Sequence, residues 1–205
     1  MLLFHSTTSP FVRKVRVAAI ELGLADRLTL EPTQVSPLEA NRGYADTVNP
    51  LRKIPALVTD DGQVIHDSLV ICEFLDALAG GGRILPAGGP ERWQVLTAHA
   101  LADGMCDAAV LMRYETAVRP EAARWPHWVD DQWDRIRAGL AWFEDHPEAW
   151  QGPLDLGSIA LGCLLGYLDF RYADRRWREG HPALAAWFAE TGARPSFTET
   201  APPAS

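Results

Sequence analysis

Cysteine is scarce in this sequence: three residues in 205, Cys72, Cys106 and Cys163, with no Cys-x-x-Cys pair. The odd number and wide spacing argue against a disulfide framework and against zinc. Each lies among apolar residues in a helix-like segment, the setting of a buried structural thiol. Basic charge is also in short supply. A net charge of −8 argues against a general nucleic-acid binder, which needs a basic surface. The local cluster Arg13, Lys14 and Arg16 is left as an attractor for a small anion. No apolar run reaches the ~20 residues that cross a bilayer, and the longest, Ile159 to Leu168, is about half that. The opening MLLF is too short for a signal peptide and follows no basic segment, so a cytoplasmic protein with no membrane partner is expected. Internal repeats, low-complexity tracts and a Gly-x-Ser-x-Gly nucleophile motif are missing too.

What is present is core material. Hydrophobic residues make up 47% of the chain, enough for one large or two small domains. Residues 1–78 alternate in type. LLFH reads as a strand. Phe11 to Leu22 places Val12, Val15, Ala19 and Leu22 on one helical face, with Arg13, Lys14 and Arg16 elsewhere, and Gly23 follows at the C-cap position. LTLEPTQV reads as a second strand and ADTVNPLRKIP as irregular. PALVT, DDGQ and VIHD form a hairpin around an Asp-Gly turn. Ser68 to Leu78 is helical, with Ser68 placed as its N-cap. This order predicts a small α/β or α+β unit.

Glycine and proline then concentrate in AGGGRILPAGGP, and residues 79–90 are read as a linker. Beyond it, helical patterns run through Glu91–Thr116, His127–Glu144, Leu156–Arg171 and Pro182–Thr191. All eight tryptophans lie in this half. Residues 91–205 therefore read as an all-helical bundle with its tryptophans mainly in packing. The tail TETAPPAS is expected to be loose.

Four positions carry chemical interest. Pro55 stands where the third strand should begin, a position proline tolerates. The Ile54–Pro55 bond is either trans or cis. The cis form turns the Ile54 backbone outward, where it can pair with an extended peptide ligand. Asp67 and Ser68 sit at a strand–helix join. They form either a simple cap or a seat for the carboxylate and ammonium of an amino-acid head. Lys53 is either a solvated lysine or a clamp for a second carboxylate. Ser9 precedes Pro10 at a helix start, as N-cap and N1, and no histidine pairs with it as a catalytic base.

TSPFVRKVR, NPLRKIPAL and DSLVICEFL, in this order, resemble the glutathione transferases. SPFVRKVR is similar to the serine-type branch. ADGMCDAAVLMRYE and GYLDFR resemble a bacterial subgroup, and HPALAAWFAETGARPSF resembles the closing helix. The resemblance spans nearly the whole chain. It implies an N-terminal thioredoxin-like domain followed by a C-terminal helical bundle, usually as a homodimer. It further implies a cis Pro55, with Ile54 pairing to the cysteinyl backbone of glutathione, Asp67 and Ser68 at the γ-glutamyl head, and Lys53 at the glycyl end. Ser9 matches the catalytic serine, with Thr8 and then Ser6 as fallback donors.

The expected activity is conjugation of glutathione, as co-substrate and without a metal, to a small hydrophobic electrophile. The rival readings are a non-catalytic glutathione-binding or regulatory module, and a glutathione-dependent isomerase, lyase or dehalogenase. An electrophile pocket is expected between the domains, with Thr8, Phe11, Met105, Ala109, Met112 and Arg113 as candidate walls. Asp103 is expected near the glutathione amine bound to a partner subunit. The family often starts a core helix with Ser or Thr, two residues, then Asp. Here Asp155 and Ser158 have the types exchanged, so Asp155 is expected to cap while Ser158 is the poorer reciprocal partner.

Overall fold

The computed structural model of the chain describes residues 1–203. Its first part is a four-stranded sheet of β1 (Leu2–His5), β2 (Thr29–Pro32), β3 (Ala56–Val58) and β4 (Val64–Ile65) in the order β2-β1-β3-β4. β1 pairs parallel with β2, Leu3 opposite Leu30, and antiparallel with β3, Leu3 opposite Leu57. The β3–β4 hairpin turns at Gly62, whose φ of +87° suits glycine. β2 lies at the edge with all four of its residues exposed, and tolerates Pro32 there.

Helices α1 (Pro10–Glu21), α2 (Arg42–Thr47) and α3 (Ser68–Leu78) complete this part. α1 ends at Gly23 (φ +73°), where the Gly23 N–H donates to the Ile20 carbonyl and the Leu24 N–H to that of Ala19. This double bond pattern satisfies carbonyls that a helix end otherwise leaves open. α2 falls partly in the stretch expected to be irregular. The Asn41 side chain caps it by accepting from the Tyr44 N–H. The cap of α3 is Asp67, which accepts from the Leu69 and Val70 N–H groups; the expected cap, Ser68, is instead the first helical residue.

The second part is helical: α4 (Gly89–Arg113), α5 (Pro126–Asp145), α6 (Leu156–Arg171), α7 (Pro182–Thr191) and α8 (Pro195–Thr198). α4 continues through a wider turn at Tyr114–Val118. By length and composition Gly89–Val118 is apolar enough to span a bilayer, yet half of its most apolar window is buried inside the protein. α6 is the central helix, with twelve of its sixteen residues buried. Asp155 and Ser158 form a complete capping box: Asp155 accepts from the Ser158 N–H at 2.8 Å, and Ser158 Oγ accepts from the Asp155 N–H at 2.9 Å. Ser158 is thus a full reciprocal partner. Its hydroxyl can rotate to present a lone pair, so exchanging the types does not weaken the motif.

Trp133, Trp150 and Trp177 are buried as expected, but Trp93 and Trp125 stand on the surface. All three cysteines are buried and free. Burial pushes the Cys72 thiol up to about 12 and that of Cys163 to about 11, so neither is a ready nucleophile. The tail is not loose throughout. Thr200 is buried and donates to the Ser196 carbonyl, while residues 204–205 lie outside the described residues.

The glycine-rich connection is tied down by Asp76. Its buried carboxylate accepts from the backbone N–H groups of Gly82, Arg83 and Ile84 at 2.8–3.0 Å. Three donors would lose a charged acceptor together on its removal. Asp76→Ala is expected to lower the unfolding free energy by about 3 kcal/mol, measured by urea denaturation. A change below about 0.5 kcal/mol, the usual scale of a neutral surface substitution, would show that the connection holds itself.

Candidate functional site

A cavity of about 640 Å³ lies between the two parts. One wall comes from the sheet domain: Ser6, Thr8 and Ser9 ahead of α1, Lys53–Ile54–Pro55 ahead of β3, and His66, Asp67 and Ser68 at the start of α3. The other comes from α4 and α6: Asp103, Asp107, Val110, Leu111, Arg113 and Tyr114 with Tyr167 and Arg171.

Ser9 caps α1 with extended backbone (φ −82°, ψ 123°), and its Oγ accepts from the Val12 N–H at 3.3 Å. That bond uses a lone pair and leaves the hydroxyl proton without an acceptor among the described residues. Ser6 and Thr8 sit 3.2 Å apart, hydroxyl to hydroxyl, so one of their two protons is consumed between them. All three line the cavity.

The Ile54–Pro55 peptide bond is cis. The preceding Lys53 carbonyl accepts from both the Tyr44 hydroxyl (2.7 Å) and the Asn49 amide (2.9 Å), which fixes the chain direction there. Burial raises the Tyr44 hydroxyl to about 12, so it remains a donor. Neither the N–H nor the C=O of Ile54 makes a backbone hydrogen bond among the described residues. A buried residue (9% exposed) with free main-chain groups at a strand start is equipped to receive an added extended segment. The α2 helix is therefore a support for this edge. Its signal was Asn41, three residues before Tyr44, a side-chain cap preceding a short helix.

Several expectations change. Met105, Ala109 and Met112 do not line the cavity. They are 3%, 0% and 1% exposed and belong to the helical core. The cavity takes the opposite stripe of α4, which begins at Asp103 and Asp107. Phe11, Thr8 and Arg113 do line it. The Arg13–Lys14–Arg16 cluster is not a surface anion attractor, since Arg13 and Lys14 are buried. Arg13 donates to the Phe197 carbonyl at 3.0 Å. Its guanidinium lies against Gly166, where any Cβ would collide with it. Lys14 Nζ, 1% exposed, meets Asp103 Oδ1 at 2.5 Å and His99 Nε2 at 2.8 Å. Asp103 is thus engaged within its own chain and also borders the cavity.

This buried group governs the local electrostatics. Burial first, and the Lys14 ammonium second, lower the His99 pKa to about 4, so the ring stays neutral above that pH. The neutral ring accepts from Lys14 at Nε2, which puts its proton on Nδ1. Asp107 is raised above the usual carboxylate range by burial and by Asp103. His66, exposed at the cavity rim, was not singled out in the sequence; nothing in its spacing distinguished it.

Fold and site together define a two-domain protein with free backbone groups at Ile54, at the start of a sheet strand, facing a helical wall across the cavity. Residues 8–78 match the N-terminal domain of glutathione S-transferases and residues 126–190 the C-terminal domain. The chain belongs to the glutathione S-transferase family. It is 34% identical over 99% of both chains to YibF, a GST-like protein of Escherichia coli K12 described as uncharacterized. It also resembles the structure of a glutathione transferase family member from Pseudomonas fluorescens Pf-5 with bound glutathione (45% identity, 98% of each chain, TM-score 0.95). A second structure from that organism, with bound S-(propanoic acid)-glutathione, is 45% identical over 99% of this chain and 100% of the other, with a TM-score of 0.91.

The His99 environment predicts a pH effect on stability. Unfolded His99 takes up its proton near pH 6.5, whereas folded His99 resists until about 4. The unfolded state binds more protons between those values, so stability falls as pH drops through that window. Asp107 acts in the opposite sense, because its raised carboxyl gains a proton more readily when folded. His99→Gln keeps an acceptor for Lys14 and removes the titration. Its urea midpoint is expected to fall less than that of the wild type between pH 6.5 and 4; parallel profiles would contradict the buried pairing.

Proposed function

We propose that this chain conjugates glutathione to a small electrophile, with the sulfur anion stabilised by Ser9. Glutathione, bound in the Pseudomonas fluorescens relative, is carried over here as the co-substrate. The observation that carries the reading is the Ser9 hydroxyl, which caps α1 through its oxygen and keeps its proton for the cavity. Ser9 is placed in the serine-type branch's catalytic role, ahead of Thr8 and Ser6, because those two share a hydrogen bond.

Glutathione then lies along the β3 edge. Its cysteinyl backbone pairs with the free Ile54 N–H and C=O beside cis Pro55. Its γ-glutamyl head meets Asp67 and the Ser68 N–H at the start of α3, where the helix dipole favours a carboxylate. Lys53 takes the glycyl carboxylate. Asp103 Oδ2, without a hydrogen-bond partner among the described residues, is available to a glutathione ammonium, including that of a partner subunit in a homodimer.

A free thiol ionises near pH 8.5, so only a few per cent is thiolate at neutrality. A hydrogen bond to the charged sulfur contributes about 1.5–3 kcal/mol, or roughly one to two pKa units. The N-terminus of α1 adds about 0.3–1 kcal/mol in the same sense. The thiol proton leaves to solvent and Ser9 keeps its own. The thiolate attacks the electrophilic carbon, the S–C bond forms, and the leaving group departs with its bonding pair. Serine itself forms no mixed disulfide, which favours conjugation over disulfide exchange.

Turnover of 1-chloro-2,4-dinitrobenzene is the test. Ser9→Ala is expected to lower kcat/KM by about 10–100-fold, matching the lost hydrogen bond. It is also expected to raise the pKa of bound glutathione by one to two units in thiolate absorbance titrations, while glutathione still binds. Wild-type binding without turnover across several electrophiles would instead identify a binding module.

A further inference from the structure

The cavity is electrically divided. Asp67, Asp103 and Asp107 share one end with Lys53, with Lys14 buried behind Asp103, and these charges act together on Asp107. The other end, where α4 and α6 finish, holds Arg113 and Arg171. Among the described residues neither guanidinium has a carboxylate within salt-bridge distance, and neither donates to a backbone carbonyl. Arginines at helix C-termini often serve only to cap the last turn. These two do not, and Arg171 Nε is buried with no hydrogen-bond partner among the described residues. Arg171 is held in place by stacking, its guanidinium carbon 3.9 Å from the Phe170 ring centre.

Tyr167 links this end to the sulfur site. It lines the main cavity and also a small recess formed with Thr8, Ser9 and Pro10. Its hydroxyl feels both Arg171 and Arg113. Phe11, Val110, Leu111 and Tyr114 supply apolar and aromatic surface to the same cavity. Two guanidinium groups free of carboxylate partners among the described residues, beside an aromatic wall, are the arrangement that selects a planar anion.

Resting on the glutathione reading above, we propose that the electrophile taken by this cavity carries a carboxylate, bound by Arg113 and Arg171 while its apolar body lies against Phe11, Tyr114 and Tyr167. An example is 4-(bromomethyl)benzoate. The glutathione thiolate attacks the benzylic carbon, the S–C bond forms as the C–Br bond breaks, and bromide leaves with the bonding pair. The carboxylate stays intact on the conjugate.

The experiment compares S-(4-carboxybenzyl)glutathione with S-benzylglutathione by titration calorimetry, with reduced glutathione as reference. The wild type is expected to bind the carboxybenzyl conjugate about tenfold more tightly, equivalent to ~1.4 kcal/mol. That ratio is expected to shrink in high salt and to approach one in an Arg113→Gln, Arg171→Gln double variant. Arg171→Lys is expected to keep part of it. Equal affinities in the wild type overturn the proposal, whatever the variants do. So does a preference that survives in a folded double variant. If reduced glutathione and both conjugates fail to bind the wild type, the glutathione reading itself falls. If they bind without preference, only the acidic electrophile is lost.

Discussion

The Lys14 ammonium, inside the protein at 1% exposure, is the constraint around which the molecule is assembled. A buried charge is tolerated only with partners, and both of its partners, Asp103 and His99, stand on α4 in the other domain. Arg13, one residue earlier, runs in a second direction to the Phe197 carbonyl and the face of α6 at Gly166. α1 is therefore held to α4 and α8 by charge-assisted contacts of fixed geometry and packs through Arg13 against α6. Removing one partner of such a buried pair typically costs about 3–5 kcal/mol, far more than an exposed pair contributes. The ordinary surface pairs here, such as Arg137 with Asp134, have no comparable role.

That docking also positions Ser9, because Ser9 is the cap of the same helix. The lysine anchored to α4 lies five positions after the proposed sulfur donor. One rigid element thus carries both. The cavity is a consequence: its sheet-side wall is fixed by α1, by the Lys53 carbonyl held between Tyr44 and Asn49, and by Asp67 at the head of α3. Its helical wall is fixed by the packing of α4 on α6 and the Tyr172 hydroxyl donating to the Ala109 carbonyl at 2.7 Å.

Elements governed by neighbours in sequence were legible. Ser9 before Pro10, Gly23 after α1, the Asp-Gly hairpin and the long helical periods all depend on a few adjacent residues. The resemblance of TSPFVRKVR, NPLRKIPAL and DSLVICEFL to a known family carried the fold as a whole. Features decided by what packs from elsewhere were not legible. Arg13 and Lys14 looked like solvent residues because periodicity ranks faces by hydrophobicity, and a charged face reads as exposed until its partners are known. Their acceptors lie 184 and 89 residues away in the chain, respectively. Asp76 was likewise unremarkable, since its acceptor role appears only when the glycine-rich stretch folds back on it.

Helix α4 shows the same division at finer scale. Met105, Ala109 and Met112 recur at spacings of four and three, the pattern of an apolar stripe, and so do Asp103, Asp107, Val110, Leu111 and Tyr114 on another face. Periodicity identifies both stripes but does not assign their partners. The bulk of the bundle demands the more apolar one, because burying methionine and alanine carries no polar penalty whereas burying Asp103 requires an ammonium to meet it. The polar stripe is then left to face the sheet domain, where Lys14 supplies that ammonium. Acidic groups are held toward the sheet edge as a result, and the helix reaches its end at Arg113, away from them. The charge division of the cavity thus follows from which face the core takes.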